Sequence, residues 1–364
     1  MPTAPKPQPG IMEIELYQGG ASKLPGMADV LKLSSNENPA GPPPSAVEAA
    51  ARAAGAMHRY PPTDHTALRE AIAEVHDLDP DRVICGCGSD EILHLLAQAY
   101  VGPGDRVIYP EHGFLIYPIV THAAGGTPVA VPERDRIVDV DALLAAARDG
   151  ARLIYIANPA NPTGTFLVGS EVRRLADGLP EGCLLVLDGA YADFVPDFDG
   201  GLGLAGARAN VFVTRTFSKL YGLGGMRVGW GYGAREVVDV LNRIRGPFNL
   251  SGMALAAAEA AMRDRAFAGS CRSDTIANRA RLTEGLRALG VAVDESSANF
   301  VLARFSGADE ARACDAALRA CGVIVRHTAN YGLPEGLRIT VGSAGEMDRV
   351  LEAIGRWRDA EAAA

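Results

Sequence analysis

The stretch Asn210–Tyr232, "NVFVTRTFSKLYGLGGMRVGWGY", contains two apolar, β-branched runs separated by hydroxyl residues, one lysine and a glycine-rich loop. Runs of this kind predict buried strands, so the polar residues between them follow the end of the first strand. Thr216, Ser218 and Lys219 stand at that point, and Arg227 follows eight residues after the lysine. The stretch therefore predicts a strand–loop–strand unit that holds a lysine, hydroxyls and an arginine close together.

Similar strand-like runs occur earlier in the chain and alternate with segments whose apolar residues have helical spacing. They are "RVICG", "DRVIYP", "TPVAVP", "ARLIYIAN" and "CLLVLD". Strands that alternate with helices of about ten to fifteen residues favour a mostly parallel sheet with helices on both faces. We therefore predict an α/β protein whose large domain is built on a mostly parallel, seven-stranded sheet.

The pattern changes near Met253, where a long Ala-rich helical region is followed by "FVLARF", "GVIVRH" and "GLRITVGS". This change predicts a second, smaller α/β domain. We expect an N-terminal arm over residues 1–38 that packs with the small domain, a large domain over 39–252 and the small domain over 253–364. The proline-rich start "MPTAPKPQPG" lacks the apolar core of a signal peptide and favours a flexible arm.

Composition narrows the classes of function. The net charge of −9 and the lack of a basic run argue against nucleic acid as a partner. No apolar stretch approaches the roughly 18–20 residues of a membrane span. Six scattered cysteines favour a reduced, cytoplasmic setting over a disulfide framework. Cys85 and Cys87 are close in sequence, but no second Cys or His pair completes a zinc site, so we expect no metal.

Lysine is almost absent from this sequence. Of its 35 basic residues, only Lys6, Lys23, Lys32 and Lys219 are lysines, and all the others are arginines. Arginine replaces lysine well as a solvated charge, but it cannot deprotonate to a nucleophilic amine. Lys219 could be a chance survivor on the surface, yet its neighbours favour a role that requires an amine.

In an open parallel sheet, ligands bind beyond the carboxyl ends of the strands. We therefore expect one cluster of the polar residues that follow the strands: Ser89, Asp90, Asn158, Asn161, Asp188, Tyr191, Thr216, Ser218 and Lys219. Gly86 and Gly88 permit a tight turn into a helix whose free N–H groups and dipole favour a phosphate. A dinucleotide fingerprint would need a third glycine where the chain has Glu91, which disfavours a nicotinamide-dependent oxidoreductase.

The residues around Lys219 suggest one cofactor. Hydroxyls beside Arg227 form a phosphate site, and a neighbouring lysine can reach an aldehyde on the same ligand. Pyridoxal 5'-phosphate carries both groups, and enzymes that use it need a lysine and an anion that pairs with the pyridinium nitrogen. Asp188, at the end of the strand "CLLVLD", is the candidate for that anion.

Over nearly its whole length the sequence resembles the fold-type I pyridoxal-phosphate aminotransferases, and within them the histidinol-phosphate aminotransferases. The matching motifs are "SSNENPAGPP", "RYP", "GSDE", "NPANPTG", "DGAY", "TFSK" with Arg227 downstream, "SSANFVL", and the pair "VIVR" and "LRITVG". The resemblance implies an aspartate-aminotransferase-like fold and a homodimer with shared active sites, in which Tyr60 reaches the cofactor phosphate of the neighbouring subunit.

The resemblance also implies a role for each matching residue. Lys219 would form a Schiff base with the cofactor and move a proton as general base and acid. Asn161 and Tyr191 would bind the ring 3-oxygen. Five further residues would bind the cofactor phosphate: Ser89, Asp90, Thr216, Ser218 and Arg227. The aromatic residue that stacks on the ring aligns with His112, and Phe114 is the alternative if the register differs by two.

For the substrate, the resemblance implies that Arg338 binds an α-carboxylate in bidentate fashion. Arg326 and Tyr17 match positions that bind the far end of the substrate. The expected reaction converts histidinol phosphate and 2-oxoglutarate to imidazole acetol phosphate and glutamate, a step of histidine biosynthesis. An aromatic amino acid aminotransferase and, less favoured, an O-phospho-amino-acid decarboxylase of the same fold are the alternatives.

Overall fold

A computed structural model describes residues 5–363 of the chain; residues 1–4 of the expected arm and residue 364 lie outside them. In chain order the strands are β1 (Leu31–Lys32), β2 (Val83–Gly86), β3 (Arg106–Pro110), β4 (Thr127–Val131), β5 (Ala151–Ala157), β6 (Leu184–Asp188), β7 (Val211–Thr216), β8 (Gly229–Tyr232), β9 (Ala292–Val293), β10 (Phe300–Arg304), β11 (Val323–Ile324), β12 (Arg326–His327) and β13 (Gly336–Thr340).

The helices are α1 (Pro44–Ala54), α2 (Thr66–His76), α3 (Gly88–Tyr100), α4 (Ile116–Ala123), α5 (Val140–Ala147), α6 (Gly169–Gly178), α7 (Leu202–Ala207), α8 (Arg235–Ile244), α9 (Gly252–Arg263), α10 (Arg265–Ala288), α11 (Ala308–Ala320) and α12 (Ala344–Ala362). Short 3-10 helices cover Ile11–Glu13, Pro80–Arg82, Ala192–Phe194, Gly224–Met226 and Ala329–Tyr331.

The seven strand-like runs of the sequence form one sheet in the order β2-β8-β7-β6-β5-β3-β4. Strands β7, β6, β5, β3 and β4 are parallel neighbours, whereas β8 pairs antiparallel with both β7 and β2. Strand β6 is buried along its whole length because the sheet is covered on both faces, which explains the continuous apolar run Leu184–Leu187. The prediction of a mostly parallel, seven-stranded α/β sheet is confirmed.

A second sheet, in the order β12-β13-β10-β9, is antiparallel and belongs to the C-terminal part of the chain. Helices α10, α11 and α12 contribute Leu282, Leu318 and Ile354 to the apolar core on this sheet. The arm joins this part through β1, which pairs in parallel with β11.

Helix α9 packs on α1 and α2, and its buried residues, such as Ala257 and Ala258, belong to the core of the large sheet. The first C-terminal residue in the core of the small sheet is Leu282, within α10. This packing supports a domain boundary later than the one expected after residue 252. We propose that the small domain begins within α10.

Candidate active site

A cavity of about 360 Å³ opens at the carboxyl ends of the central parallel strands, between the large sheet, the small sheet and the arm. Twelve of the predicted site residues line it: Tyr17, Ser89, Asp90, Asn161, Asp188, Tyr191, Thr216, Ser218, Lys219, Arg227, Arg326 and Arg338. Asn158 is not among the lining residues. Its Nδ2 donates to the carbonyl of Leu167, and its Oδ1 accepts a hydrogen bond from the backbone N–H of the same residue. The polar residues that follow the parallel strands thus lie together at the carboxyl edge of the sheet, as is usual for a ligand site in such a sheet.

Lys219 follows β7 and its amine lies inside the cavity. Its Nζ donates a hydrogen bond to the carbonyl oxygen of Ser35 at 3.2 Å. Burial, with the positive charge of Arg338 as the second cause, lowers the pKa of Lys219 from 10.5 to about 8. The side chain therefore supplies a neutral, nucleophilic amine at a far lower pH than a solvated lysine does.

Asp188 is the last residue of β6 and is only 4% exposed. Its carboxylate accepts hydrogen bonds from the Tyr117 hydroxyl at 3.0 Å and from the backbone N–H of Ala190 at 3.2 Å. Burial raises the pKa of Asp188 to about 6. A buried carboxylate with neutral hydrogen-bond donors is a partner for a cationic group inside the cavity.

The N-terminus of α3 and the Arg227 guanidinium form one end of the cavity. The turn into α3 depends on Gly88, whose φ is +76° and whose missing Cβ would lie 2.5 Å from Nη2 of Arg227. Nη1 of Arg227 donates to the hydroxyl of Ser218 at 3.3 Å, and Nη2 donates to Asp90 Oδ2 at 3.2 Å. Free helix N–H groups beside a guanidinium and hydroxyls are suited to bind a single phosphate.

Glu91 occupies the position where a dinucleotide fingerprint has its third glycine. Its Oε2 accepts hydrogen bonds from the backbone N–H of Cys87 and from Nδ2 of Asn249. Cys85 is buried in β2, and Cys87 is exposed in the turn. Neither cysteine is among the residues that line the cavity.

Arg338, on β13, lies on the opposite wall and is buried. Its Nη1 donates to Oδ1 of Asn161, and its Nη2 donates to the carbonyl of Ser34 at 3.0 Å. Its Nε has no hydrogen-bond partner within residues 5–363. A buried guanidinium with an unused N–H beside a cavity is suited to bind a carboxylate.

Arg326, on β12, and Tyr17, on the arm, line the outer part of the cavity, and Nη2 of Arg326 donates to the carbonyl of Gln18 at 2.9 Å. Tyr331 lies beside them and was not predicted from the sequence. It belongs to a short 3-10 helix that no periodicity indicates.

Of the two candidates for ring stacking, Phe114 lines the cavity and His112 does not. Nδ1 of His112 instead contacts the carbonyl of Tyr331 at 2.8 Å. Phe114 packs edge-on against Tyr117, the hydroxyl partner of Asp188, with ring centroids 6.0 Å apart. We therefore propose Phe114 in place of His112 as the residue that stacks on the ring, because the loop after β3 turns the histidine toward Tyr331 of the small domain.

Tyr60 is 81% exposed and lies outside the cavity of its own chain. Its ring stacks on Phe248, with centroids 4.3 Å apart and an interplanar angle of 24°. The chain alone therefore does not bring Tyr60 to the other predicted cofactor residues.

The segment Ser34–Glu37 also lines the cavity, although the sequence pointed to it only as part of a family motif. Ser34 and Ser35 act through their backbone carbonyls, which carry no signature in the sequence. The side chain of Asn36 contacts the Tyr191 hydroxyl at 2.9 Å.

Residues 28–354 match the family model described as aminotransferase class I and II. The chain belongs to the class I and II aminotransferases. The histidinol-phosphate aminotransferase of Dinoroseobacter shibae is 62% identical to this aminotransferase over 97% of the chain and 98% of that protein. The protein of the same name from Ruegeria pomeroyi is 60% identical over 98% and 99% of the two chains.

Solved structures share the fold of this aminotransferase. The crystal structure of histidinol-phosphate aminotransferase from Sinorhizobium meliloti, in complex with pyridoxal-5'-phosphate, aligns with a TM-score of 0.90. It is 28% identical, and the alignment covers 99% of each chain. Aspartate aminotransferase from Thermus thermophilus with maleate aligns with a TM-score of 0.79 at 25% identity, over 90% and 92% of the chains. None of the helices described here combines the length and apolar character that a bilayer crossing requires.

Proposed function

We propose that this enzyme is a pyridoxal-phosphate-dependent histidinol-phosphate aminotransferase of histidine biosynthesis. The observation that carries the proposal is that a partly buried amine, Lys219, and a buried carboxylate, Asp188, line one cavity whose wall also holds the N-terminus of α3 and Arg227. Relatives that are 60–62% identical over nearly the full chain bear this name.

The residues fit the cofactor on physical grounds. Asp188 needs a cation to offset its burial, and a protonated ring nitrogen supplies one. The α3 N-terminus with Thr216, Ser218 and Arg227 suits the phosphate, and Phe114 provides an aromatic wall. When bound, pyridoxal phosphate draws electrons from the α-carbon of an amine substrate.

Each of the site residues then has a defined role. Lys219 would hold the cofactor aldehyde through its amine and would carry a proton to and from the reacting carbon as general base and acid. Asp188 keeps the ring nitrogen protonated. Asn161 and Tyr191 bind the ring 3-oxygen. The Ser35 carbonyl accepts a hydrogen bond from Nζ of Lys219 and so orients the amine in the cavity.

Different residues of the substrate site bind different groups of the substrates: Arg338 on one side, and Arg326 with Tyr17 on the other. Arg338 binds the carboxylate of glutamate or 2-oxoglutarate through its unpartnered Nε and its Nη groups. Arg326 and Tyr17, in the outer cavity, bind the phosphate of histidinol phosphate. Histidinol phosphate has no α-carboxylate, so the two arginines serve different half-reactions.

Steady-state kinetics test the substrate assignment. We expect kcat/KM for histidinol phosphate to exceed that for phenylalanine or tyrosine. The Arg326→Gln variant should raise KM for histidinol phosphate by roughly tenfold or more while it changes KM for glutamate little, since a charge-assisted phosphate contact is lost. A kcat/KM that is higher for the aromatic amino acids would identify an aromatic aminotransferase instead, and release of carbon dioxide would identify a decarboxylase.

We propose further that two copies of the chain form a homodimer in which Tyr60 reaches the cofactor phosphate of its neighbour. The exposure of Tyr60 and its stacking on Phe248 support this assignment, because an exposed aromatic pair is suited to an interface. Sedimentation would show a dimer. We also propose a reduced, cytoplasmic location, which the six free cysteines support and cell fractionation would test.

A further inference from the structure

The segment Ser34–Asn36 of the arm contacts three of the functional side chains. The Ser34 carbonyl accepts from Arg338, and the Ser35 carbonyl accepts from Lys219. Nδ2 of Asn36 lies 2.9 Å from the hydroxyl oxygen of Tyr191. Asn36 is the member of the segment that contacts a functional side chain through its own side chain, and it is 1% exposed.

The hydrogen bonds of Thr340 fix the orientation of the Asn36 amide. Oγ1 of Thr340 accepts the backbone N–H of Asn36 at 2.9 Å. The same hydroxyl lies 3.1 Å from Oδ1 of Asn36, and its proton is donated to that oxygen. The amide nitrogen must then face Tyr191, since the oxygen is already engaged with Thr340.

This orientation determines what the Tyr191 hydroxyl can do. Because Asn36 is the donor in their hydrogen bond, the Tyr191 oxygen is the acceptor and its own proton remains available. Burial raises the pKa of Tyr191, so the hydroxyl keeps that proton at neutral pH. Tyr191 lines the cavity, where the proton can be donated to a ligand.

The backbone also holds Asn36 in an unusual conformation. Its φ is +55°, in the left-handed region, which asparagine tolerates better than most residues. Nδ2 of Asn299 donates to the Asn36 carbonyl at 3.0 Å, and Thr340 binds its N–H. The small domain therefore holds both sides of this strained residue, as is common where strain serves function.

We propose that Asn36 is a positioning residue that commits the Tyr191 hydroxyl to donate its proton to the oxygen of the bound cofactor ring. The inference rests on the proposed function, since that oxygen belongs to pyridoxal phosphate. The arm thereby sets the direction of a hydrogen bond in the site.

Two substitutions separate this role from packing. Asn36→Asp keeps the size and the contact with Thr340, but its second carboxylate oxygen accepts the Tyr191 proton and reverses the hydrogen bond. Asn36→Ala removes the donor and leaves the Tyr191 proton free. Tyr191→Phe, alone and combined with each variant, completes a double-mutant cycle.

The measurements are the dissociation constant of pyridoxal phosphate for the cofactor-free protein, the visible absorbance band of the bound cofactor, and kcat. We expect Asn36→Asp to lower kcat by roughly ten- to a hundredfold and to weaken cofactor binding more than Asn36→Ala does. Its absorbance band should match that of Tyr191→Phe. In the Tyr191→Phe background, the difference between Asn36→Asp and Asn36→Ala should shrink to about twofold or less.

Two results would overturn the inference: a larger defect in Asn36→Ala than in Asn36→Asp, as lost packing predicts, or an unchanged difference between the variants without the Tyr191 hydroxyl. A wild-type protein that binds no pyridoxal phosphate would instead contradict the proposed function. The two failures are therefore distinguishable.

Discussion

Burial shifts the pKa values of Lys219 and Asp188 in opposite directions, because it disfavours the charged form of each. The lysine moves down to about 8 and the aspartate moves up to about 6. For Lys219 the shift supports reactivity, since more of the amine is neutral near physiological pH. For Asp188 the shift is a cost that a cationic ring can offset.

The pKa of Lys219 predicts how cofactor capture depends on pH. In cofactor-free protein, the rate at which pyridoxal phosphate is fixed by borohydride should rise to a plateau with a midpoint near pH 8. Arg338→Gln should move the midpoint to higher pH, because it removes a positive charge that disfavours the ammonium form. Arg326→Gln, which is not a cause of the shift, is the matched control. A midpoint near that of a solvated lysine would contradict the burial argument.

The raised pKa of Asp188 predicts that replacing this residue stabilises the cofactor-free protein but abolishes activity. Its rise from 3.8 to about 6 corresponds to about 3 kcal/mol of lost stability when the carboxyl is ionised in the cofactor-free fold. The penalty is absent below about pH 4, grows as the pH rises to about 6, and is constant above that. Asp188→Asn should therefore stabilise cofactor-free protein at pH 8 by up to that amount, with no gain at pH 4, while activity is lost. Denaturant titrations at both pH values measure the difference; an equal gain at both would point to packing instead.

At the scale of elements, the phosphate end of the cavity requires that the N-terminus of α3 and strand β8 approach closely. A Cβ on Gly229 would lie 2.2 Å from the backbone nitrogen of Ser89. No side chain fits there, so the helix N-terminus can reach the anion site only because β8 has a glycine at this point.

Gly229→Ala should displace the start of α3 and weaken pyridoxal phosphate binding by roughly tenfold or more, which corresponds to at least about 1.4 kcal/mol. Equilibrium titration of the cofactor-free protein measures the loss. Gly225→Ala is the control, because a Cβ at Gly225 meets nothing within 4 Å. It should bind the cofactor within about twofold of the wild type; a matching loss there would point to general loop damage.

The elements also show where sequence reasoning succeeds and where it does not. The apolar runs predicted the strands, and the ends of those strands predicted where Lys219, Asp188 and Asn161 lie. Both predictions succeed because periodicity and strand ends are local signals in the sequence. The position of Phe114 depends on a loop conformation, and the Tyr117 contact with Asp188 depends on how α4 packs; neither is local. Every residue type has a backbone carbonyl, so the contacts made by the carbonyls of Ser34 and Ser35 leave no signal in the sequence.

At the scale of the whole molecule, the site is assembled from both sheets and the arm. The bidentate ion pair between Arg136 and Asp294 joins the loop between β4 and α5 of the large domain to the small domain. Arg304 also binds Asp294, at 3.0 Å. These ion pairs therefore link the domain that carries Arg338 to the domain that carries Lys219.

The proposed dimer predicts complementation between two impaired variants. Lys219→Ala lacks the amine, and Tyr60→Ala lacks the residue donated to the neighbour. A mixed dimer has one intact site, since the Tyr60→Ala chain keeps Lys219 and receives Tyr60 from its partner. Co-refolding the two in equal amounts should restore roughly a quarter of wild-type activity if the chains assort at random. Activity no higher than the average of the separate variants would contradict the sharing of Tyr60.

The distribution of lysine over the fold has a practical consequence. Lys6, Lys23 and Lys32 all lie in the arm, and Lys219 is enclosed in the cavity. Amine-reactive resins, dyes and crosslinkers would therefore attach to the lysines at one end of the chain and leave the arginine-covered remainder unmodified. The enzyme can thus be attached to a resin through its arm without engineering.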